Sequence, residues 1–570
     1  MATYYIDPSW GGTASGTFAL PWTTYASLPA LSAGDKVLQK AGTTFSGTVT
    51  AGYSGTLANP IIYGVYDASG AEVTTTLGAA TIAGTGTAAD NFSTGTKDYV
   101  WVRCIAATSI TSARYGFTIG SSTFNVGCRA SYCQANDQTA ASASFQVRSH
   151  NGTDPHIIEY CEASRGTYGI LLQGGTHGAA IQFRNNTCQY NAESGIRLAL
   201  STGGLVTGAI ENNDCRYNGV TQAVVSKGIG INVLSDGAGL RVVNNDCRYN
   251  YTIGIQASTF SGLVNGVVVE YNECCFNGYH GMLVGRGVGF VVRHNNCSDN
   301  GTSRDSAYGR GIELYSSSAS FPCGPGVVEF NTCNRNLNYG GTLNNGTEGC
   351  GIGLDDNHSG ITVVGNVCMN NEGSGIQINP SGAIGTNYVQ GNLLKDNFNV
   401  DTARVTAGSW VALICSQIYT GTTEANLKIR NNTFINTGIA SCQYEIAEGA
   451  SASASGVEAV NNLFVGAAVA LKVRSAITRT NNAYWQCTIK GQANTSTTAL
   501  SADTGVVTAD PLLSSSYRPM TGSPLIAAGT HLGYGYKYRD CDGKQRPNPP
   551  AIGAYDAATL RRVLSTDPAA

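Results

Sequence analysis

Charge is scarce in this chain: Asp, Glu, Lys and Arg make up 12% of 570 residues, against roughly 25% in ordinary globular domains. The two signs nearly cancel, 34 Lys and Arg facing 37 Asp and Glu, for a net charge of −3. Such a surface sets up no field that would gather DNA, RNA or an anionic membrane, so nucleic-acid binding is disfavoured. Methionine is nearly missing at four residues, whereas Gly numbers 72 and Tyr 29, a balance that argues against a helical protein. No run approaches the ~18–20 apolar residues needed to cross a bilayer. The opening Met1-Ala2-Thr3-Tyr4-Tyr5-Ile6-Asp7 lacks a basic flank and an apolar signal core, so a soluble chain without a visible secretion signal is expected. Cysteine is plentiful at 18, yet no Cys-x-x-Cys pair or His cluster has the spacing of metal ligands, which disfavours a metal site.

What the chain does have is a repeat. Asn185-Asn186-Thr187-Cys188 returns as Asn212-Asn213-Asp214-Cys215, Asn244-Asn245-Asp246-Cys247, Tyr271-Asn272-Glu273-Cys274 and His294-Asn295-Asn296-Cys297, then at Cys333 and Cys368. Counted from Cys161, the spacings are 27, 27, 32, 27, 23, 36 and 35 residues. Later copies at Asn392, Asn432, Asn462 and Asn482 carry larger apolar residues where the Cys stood. Between these phrases sits a second one, Gly followed by a short alternating strand: Gly169-Ile170, Gly195-Ile196, Gly230-Ile231, Gly254-Ile255, Gly281-Met282, Gly311-Ile312, Gly351-Ile352 and Gly375-Ile376.

A single core stops growing near ~250–300 residues unless the fold is a repeat. A variable period near 27 with strands and turns but no 3.6 periodicity is what a solenoid of parallel strands requires, each rung ~4.8 Å above the last. The reading is all-β: one right-handed parallel β-helix with an N-terminal cap and a C-terminal closing coil. Residues 1–100 form the cap and first rungs, 101–490 the body, and 491–570 the closing coil and tail. The recurring Asn is expected in a tight turn, its conformation left-handed and its amide bonded to the Asn of the next rung. The Cys two residues on points inward; stacked a full rung apart, these thiols are expected mostly free and buried. Trp22–Leu31 reads as one amphipathic turn or two over the first rung, Ala551–Tyr555 as a final strand, and residues 557–564 as a short surface helix.

Both ends resemble a known group. Tyr4-Tyr5-Ile6-Asp7-Pro8, Gly34-Asp35-Lys36-Val37, Ala41-Gly42-Thr43 and Asn59-Pro60-Ile61-Ile62-Tyr63 are similar to the opening of pectate-lyase-like β-helix proteins that act on polysaccharides. Asp510-Pro511-Leu512, Gly522-Ser523-Pro524-Leu525 and Ile552-Gly553-Ala554-Tyr555 are similar to their closing coil. The resemblance implies a polysaccharide-active protein, most like the tailspike depolymerases of bacteriophages. It implies a bacterial capsule or exopolysaccharide as partner, a place on the virion tail or outside the cell, and a homotrimer or other phage tail proteins as assembly partners. Gly278-Tyr279-His280-Gly281 is similar to the Gly-His-Gly of polygalacturonases, but the preceding rung, Gly254-Ile255-Gln256, lacks their paired aspartates.

Chemistry on a glycan lying along a solenoid needs carboxylates on the outward face of adjacent rungs. With Ile312, Leu314, Ile352 and Leu354 inward, the outward columns read Leu283, Glu313, Gly353, Gln377 and Gly285, Tyr315, Asp355, Asn379. Glu313 and Asp355, one rung and two residues apart, then stand roughly 8 Å apart, room for a water between the acid and the base of an inverting hydrolase. Glu313, Asp355 and Asp356 are the catalytic candidates; His280, Arg310, Tyr315, His358, Gln377 and Asn379 are the substrate-binding ones. The longest insertions, 298–309 and 334–350, precede these strands and are expected to wall the groove. Were the substrate a uronic acid, Arg310 would neutralise its carboxylate and Tyr315 or His280 would remove the proton, giving a lyase. A non-enzymatic receptor-binding or structural virion protein is the third reading, in which Glu313 simply pairs with Arg310. Asp214, Asp246 and Glu273, outward in successive rungs, form a rival constellation able to hold Ca²⁺, though Arg216 and Arg248 beside them favour an ion ladder. No other cofactor is called for.

Overall fold

The computed structural model describes residues 1–84, 90–108, 115–121, 125–136, 143–148, 153–174, 179–200, 204–219, 227–235, 239–258, 264–302, 309–317, 322–338, 349–380, 385–398, 416–420, 426–439, 442, 444–448, 456–473, 477–493, 498–532 and 539–556. The predicted surface helix at 557–564, half of the predicted wall insertion 298–309 and most of 334–350 lie outside these residues. The chain divides into two units, one built from 1–327, 331–341 and 348–358, the other from 328–330, 342–347 and 359–570.

In the first unit the alternating Gly-Ile phrases become parallel strands that stack rung on rung. Ile170, Ile196, Ile231, Ile255, Met282, Ile312 and Ile352 are register partners in succession, each essentially buried. Each such side chain contributes about 1.5–3 kcal/mol by leaving water. A second face stacks the strands that precede each Asn phrase, among them His156–Glu159, Ala179–Arg184, Val206–Glu211, Arg241–Val243 and Val268–Glu270. The third face begins as short strands and then thins to single bridges, Thr187 to Asp214, Asp214 to Asp246 and Asp246 to Glu273. Three parallel faces closing on one apolar interior make a right-handed parallel β-helix, the hand that parallel crossovers take.

The two asparagines of each phrase divide the labour that the sequence reading gave to one. The first, Asn185, Asn212 or Asn244, takes a left-handed turn with φ of 54–56°. The second is buried and forms the ladder: Asn186 Nδ2 donates to Asn213 Oδ1 at 2.9 Å, and the series runs through Asn245, Asn272 and Asn295 to Asn331. Each amide also reaches back a rung, as Asn213 Nδ2 does to the Phe183 carbonyl at 2.9 Å. A second ladder joins Asn191, Asn218, Asn250, Asn277, Asn300 and Asn336 by the same bond. Cys188, Cys215, Cys247, Cys274 and Cys297 point into the core with no exposed surface, and no disulfide links the described cysteines. Burial pushes the thiols of Cys188 and Cys274 well above their ordinary range.

The second unit repeats the scheme with bulkier filling. Cys368, Leu394, Phe434, Phe464 and Tyr484 are successive register partners, and the last three rings stack at 4.9 and 5.2 Å. An asparagine ladder runs here too, from Asn366 through Asn392, Asn432 and Asn462 to Asn482.

The ends differ in how well they were foreseen. Trp22–Leu31 yields one 3-10 turn, Tyr25–Ser27, whose buried Tyr25 hydroxyl donates to Gln39 Oε1 at 2.9 Å. Ala551–Tyr555 is not a strand. Its backbone donors go to separate segments, Ile552 to Leu525, Gly553 to Asn461 and Ala554 to the Thr433 hydroxyl, and Gly553 is left-handed, so no ladder forms.

Two expectations follow. Asn213→Ala orphans donors and acceptors in two neighbouring rungs, so urea unfolding should show a loss of roughly 2–4 kcal/mol, whereas Asn212→Gly, in the left-handed turn, should cost little. The core thiols should resist iodoacetamide in the native protein and react fully once it is denatured; native labelling of Cys215 or Cys247 at the rate of a free thiol would contradict the inward column.

Candidate active site

The site candidates meet on three stacked strands of the first unit, His280–Gly285, Arg310–Ser316 and Ile352–Asp356. Their alternation turns Ile312, Leu314, Ile352 and Leu354 into the core and the intervening residues outward. Leu283, Glu313 and Gly353 stack as one outward column and Gly285, Tyr315 and Asp355 as the next, while His280 lies beside Arg310. The register is the one read from the sequence. Gln377 and Asn379 fall on the strand Ile376–Pro380 of the second unit, the first buried and the second exposed.

Between the two carboxylates stands a guanidinium. Arg310, its side chain 3% exposed, donates from Nη1 to Glu313 Oε2 and to Asp355 Oδ2, the latter at 2.6 Å. Gly353 makes this possible: a Cβ there would lie 2.7 Å from Arg310 Nη1 and 2.9 Å from Glu313 Oε2. The hollow anticipated at Gly353 therefore holds the Arg310–Glu313 pair, and Glu313 is buried rather than facing a groove. Oδ1 of Asp355 is buried and has no partner among the described residues, the kind of orphan acceptor that a water or a substrate hydroxyl satisfies.

Asp356 stands apart from this clamp, in a left-handed turn at the strand end with φ of 56°. Burial, and then the charge of Asp355, hold its carboxyl above the usual carboxylate range, although the Tyr315 hydroxyl donates to it and Arg310 pulls the other way. Tyr315 is 38% exposed above it. The two histidines are neutral at pH 7: burial and the Arg310 charge push His280 down to about 3, and burial pushes His358 down to about 4 against the opposing charge of Asp355. His280 Nδ1 finds no partner among the described residues.

Extending the same outward column down the unit reveals what the sequence reading left out. Leu171, Arg197, Asn232, Gln256, Leu283 and Glu313 are successive partners, with Ser258 and Gly285 in the neighbouring column. Arg197 Nη1 donates to the Tyr168 hydroxyl at 2.6 Å, its guanidinium 4.9 Å from that ring, and Glu193 binds both Tyr168 and Lys227, the latter at 3.0 Å. The signal was available in Gly195-Ile196-Arg197, which repeats the Gly-Ile-Glu pattern of Gly311-Ile312-Glu313.

In the rival constellation Asp214 and Asp246 form an ion ladder, whereas Glu273 accepts from Asn296 Nδ2 at 2.9 Å. Asp214 and Asp246 each hold the guanidinium two residues on, Arg216 and Arg248, at 2.6–2.8 Å, and Arg216 also reaches Asp246 at 3.5 Å. Beside the ladder Tyr190, Tyr217, Tyr249 and Phe276 stack at 5.1–5.3 Å, so the inner faces of the stack cover one another. Glu270, buried between Arg241 and Arg293, shows the same economy: burial raises its carboxyl, but the two guanidiniums outweigh it and hold the group below the usual range.

The family model described as "Right handed beta helix region" matches residues 146–324 and 230–419. No curated protein matches the chain. Among solved structures, the Dettilon tailspike protein is similar at 14% identity and a TM-score of 0.37, over 66% of this chain and 62% of the tailspike. The pectate lyase Pel9A is similar at 16% identity and a TM-score of 0.26 over 98% and 96% of the two chains. A mannuronic acid specific family 6 polysaccharide lyase from human gut microbiota is similar at 14% and 0.33 over 90% and 92%. Repeat and register make the described strands a right-handed parallel β-helix, and residues 146–419 match the model of that region.

Proposed function

We propose that this chain binds a bacterial surface polysaccharide along the outward lane of its first unit and hydrolyses it with inversion. Asp356 is the proton donor and Asp355 the base that activates water. Arg310 and Glu313 are positioning residues: the buried guanidinium fixes Asp355 through the bond to its Oδ2. One observation carries this reading, namely two adjacent carboxyls in unlike surroundings: Asp355 is anchored through Oδ2 on a buried cation with Oδ1 left without a partner among the described residues, and burial holds Asp356 above the usual carboxylate range. Arg197, Asn232, Gln256 and Ser258 offer hydrogen-bonding groups along the same lane. The resemblance of both chain ends to polysaccharide-active β-helix proteins supports the substrate class. A tailspike-like role on a phage tail, or an extracellular one, gives such a protein access to its polymer.

A lyase mechanism fits less well. Arg310 is buried and already engaged by two carboxylates, so it does not present itself to a uronate, and His280 is too weakly basic to take a proton near pH 7.

Incubation with a panel of bacterial capsules and exopolysaccharides tests the proposal. New reducing ends without ultraviolet absorbance are expected; unsaturated ends, or intact polymer that the protein merely binds, would overturn it. Asp355→Asn and Asp356→Asn should each lower turnover by about 10²–10⁴-fold, the latter with unfolding unchanged. The rate should fall as pH rises and Asp356, its carboxyl held above the usual range by burial, loses its proton, and Asp356→Asn should remove that alkaline limb.

A further inference from the structure

The last rung of the second unit breaks the rule that the earlier rungs keep. Ile446 and Leu471 are inward register partners, and the next residue in that column is Gly491. On the neighbouring face Val389, Ile429 and Ala459 are inward partners, all buried, and the next is Arg479. Both apolar columns therefore end on the same rung, one in a missing side chain and the other in a cation. The guanidinium occupies part of the space a leucine would take, since a Cβ on Gly491 would lie 3.2 Å from Arg479 Nη1 and 3.4 Å from Leu500 Cδ1.

Gly491 and Arg479 line a pocket of about 420 Å³ that opens to solvent. Its back is Arg479, whose side chain is 7% exposed and pairs with the equally buried Asp503 at 3.0 Å, and Asp503 also accepts from Tyr484 and, at 2.9 Å, from Asn482. Ile489, Leu500 and Val506 give it apolar walls. At the mouth stand Thr488, Ser501 and the exposed Lys490, which has no ion-pair partner among the described residues.

Closing a solenoid needs no cation in an aliphatic column. A buried ion pair generally stabilises less than well-packed hydrophobes of the same volume. Departures of that kind, where local rules are broken beside a formed cavity with a few converging polar groups, mark binding sites. The contents define the ligand class. Asp503 neutralises Arg479, so the uncompensated charge is the ammonium of Lys490; the two hydroxyls suit polyol groups, and the aliphatic walls suit a C–H face.

We propose that this cavity is a second ligand site that binds one carboxylate-bearing sugar unit, with Lys490 on the carboxylate and Leu500 and Ile489 against the ring. It lies in the second unit and does not depend on the hydrolytic reading of the first, because its test reads binding of a monosaccharide that cannot be depolymerised.

The full-length protein is titrated with galacturonate, galactose and cyclohexanecarboxylate, followed by ligand-observed NMR. Galacturonate is expected to bind at least about tenfold more tightly than either of the others, one lacking the charge and the other the hydroxyls. Lys490→Gln should weaken it about tenfold, and Ala499→Trp, at the rim, should abolish binding while the unfolding midpoint stays unchanged. Absence of galacturonate binding, parity among the three probes, or indifference to both variants would overturn the site.

Discussion

Vertical registration of one rung on the next is the constraint from which everything else in this protein follows. Parallel strands supply it only in part, because a strand of three to five residues slips easily when its two faces are alike. The asparagine ladders remove that freedom. Each buried amide must meet the amide directly above it and a carbonyl directly below, as Asn213 does with Asn245 and Phe183, and a slip of one residue would leave three buried polar groups unpaired. Irregular insertions of varying length between rungs are then harmless, since the ladder resets the register each time the chain returns.

Registration also explains how so few charges are managed. Outward columns place side chains from distant parts of the chain within bonding distance, and the protein uses this to pair charges of opposite sign, in the Arg216–Asp246 ladder, the Arg241–Glu270–Arg293 triad and the Arg310 clamp. Arg310 shows both uses of a single device. Its contact with Glu313 within one strand is an ordinary pairing, whereas its reach to Asp355 on the next rung fixes a carboxylate 45 positions along the chain, next to a second carboxyl that burial holds above the usual range.

Periodicity made the architecture legible. The Gly-Ile and Asn-Asn-x-Cys phrases gave the inward columns, the outward columns at 283, 313 and 353 and at 285, 315 and 355, and the stacking of Asp214 on Asp246. Side-chain reach was not legible in the same way. Nothing in the order Arg310-Gly311-Ile312-Glu313 says that the arginine folds back under Gly353 and fills the space intended for water, because that depends on the absent Cβ one rung away. The split roles of the paired asparagines were missed for a similar reason, since two adjacent identical residues face opposite ways. The final segment Ala551–Tyr555 reads as a strand by composition, yet it closes the coil by bonding to three separate segments, which no local pattern encodes.

A double-mutant cycle on Arg310 and Asp355 tests the central claim most directly, because the pair exists only if the two rungs superimpose. Unfolding of Arg310→Met, Asp355→Asn and the double variant should yield a coupling energy of about 1–3 kcal/mol, the range for contacting groups in one network. Additive effects, with coupling near zero, would contradict the stacked register and the site built on it.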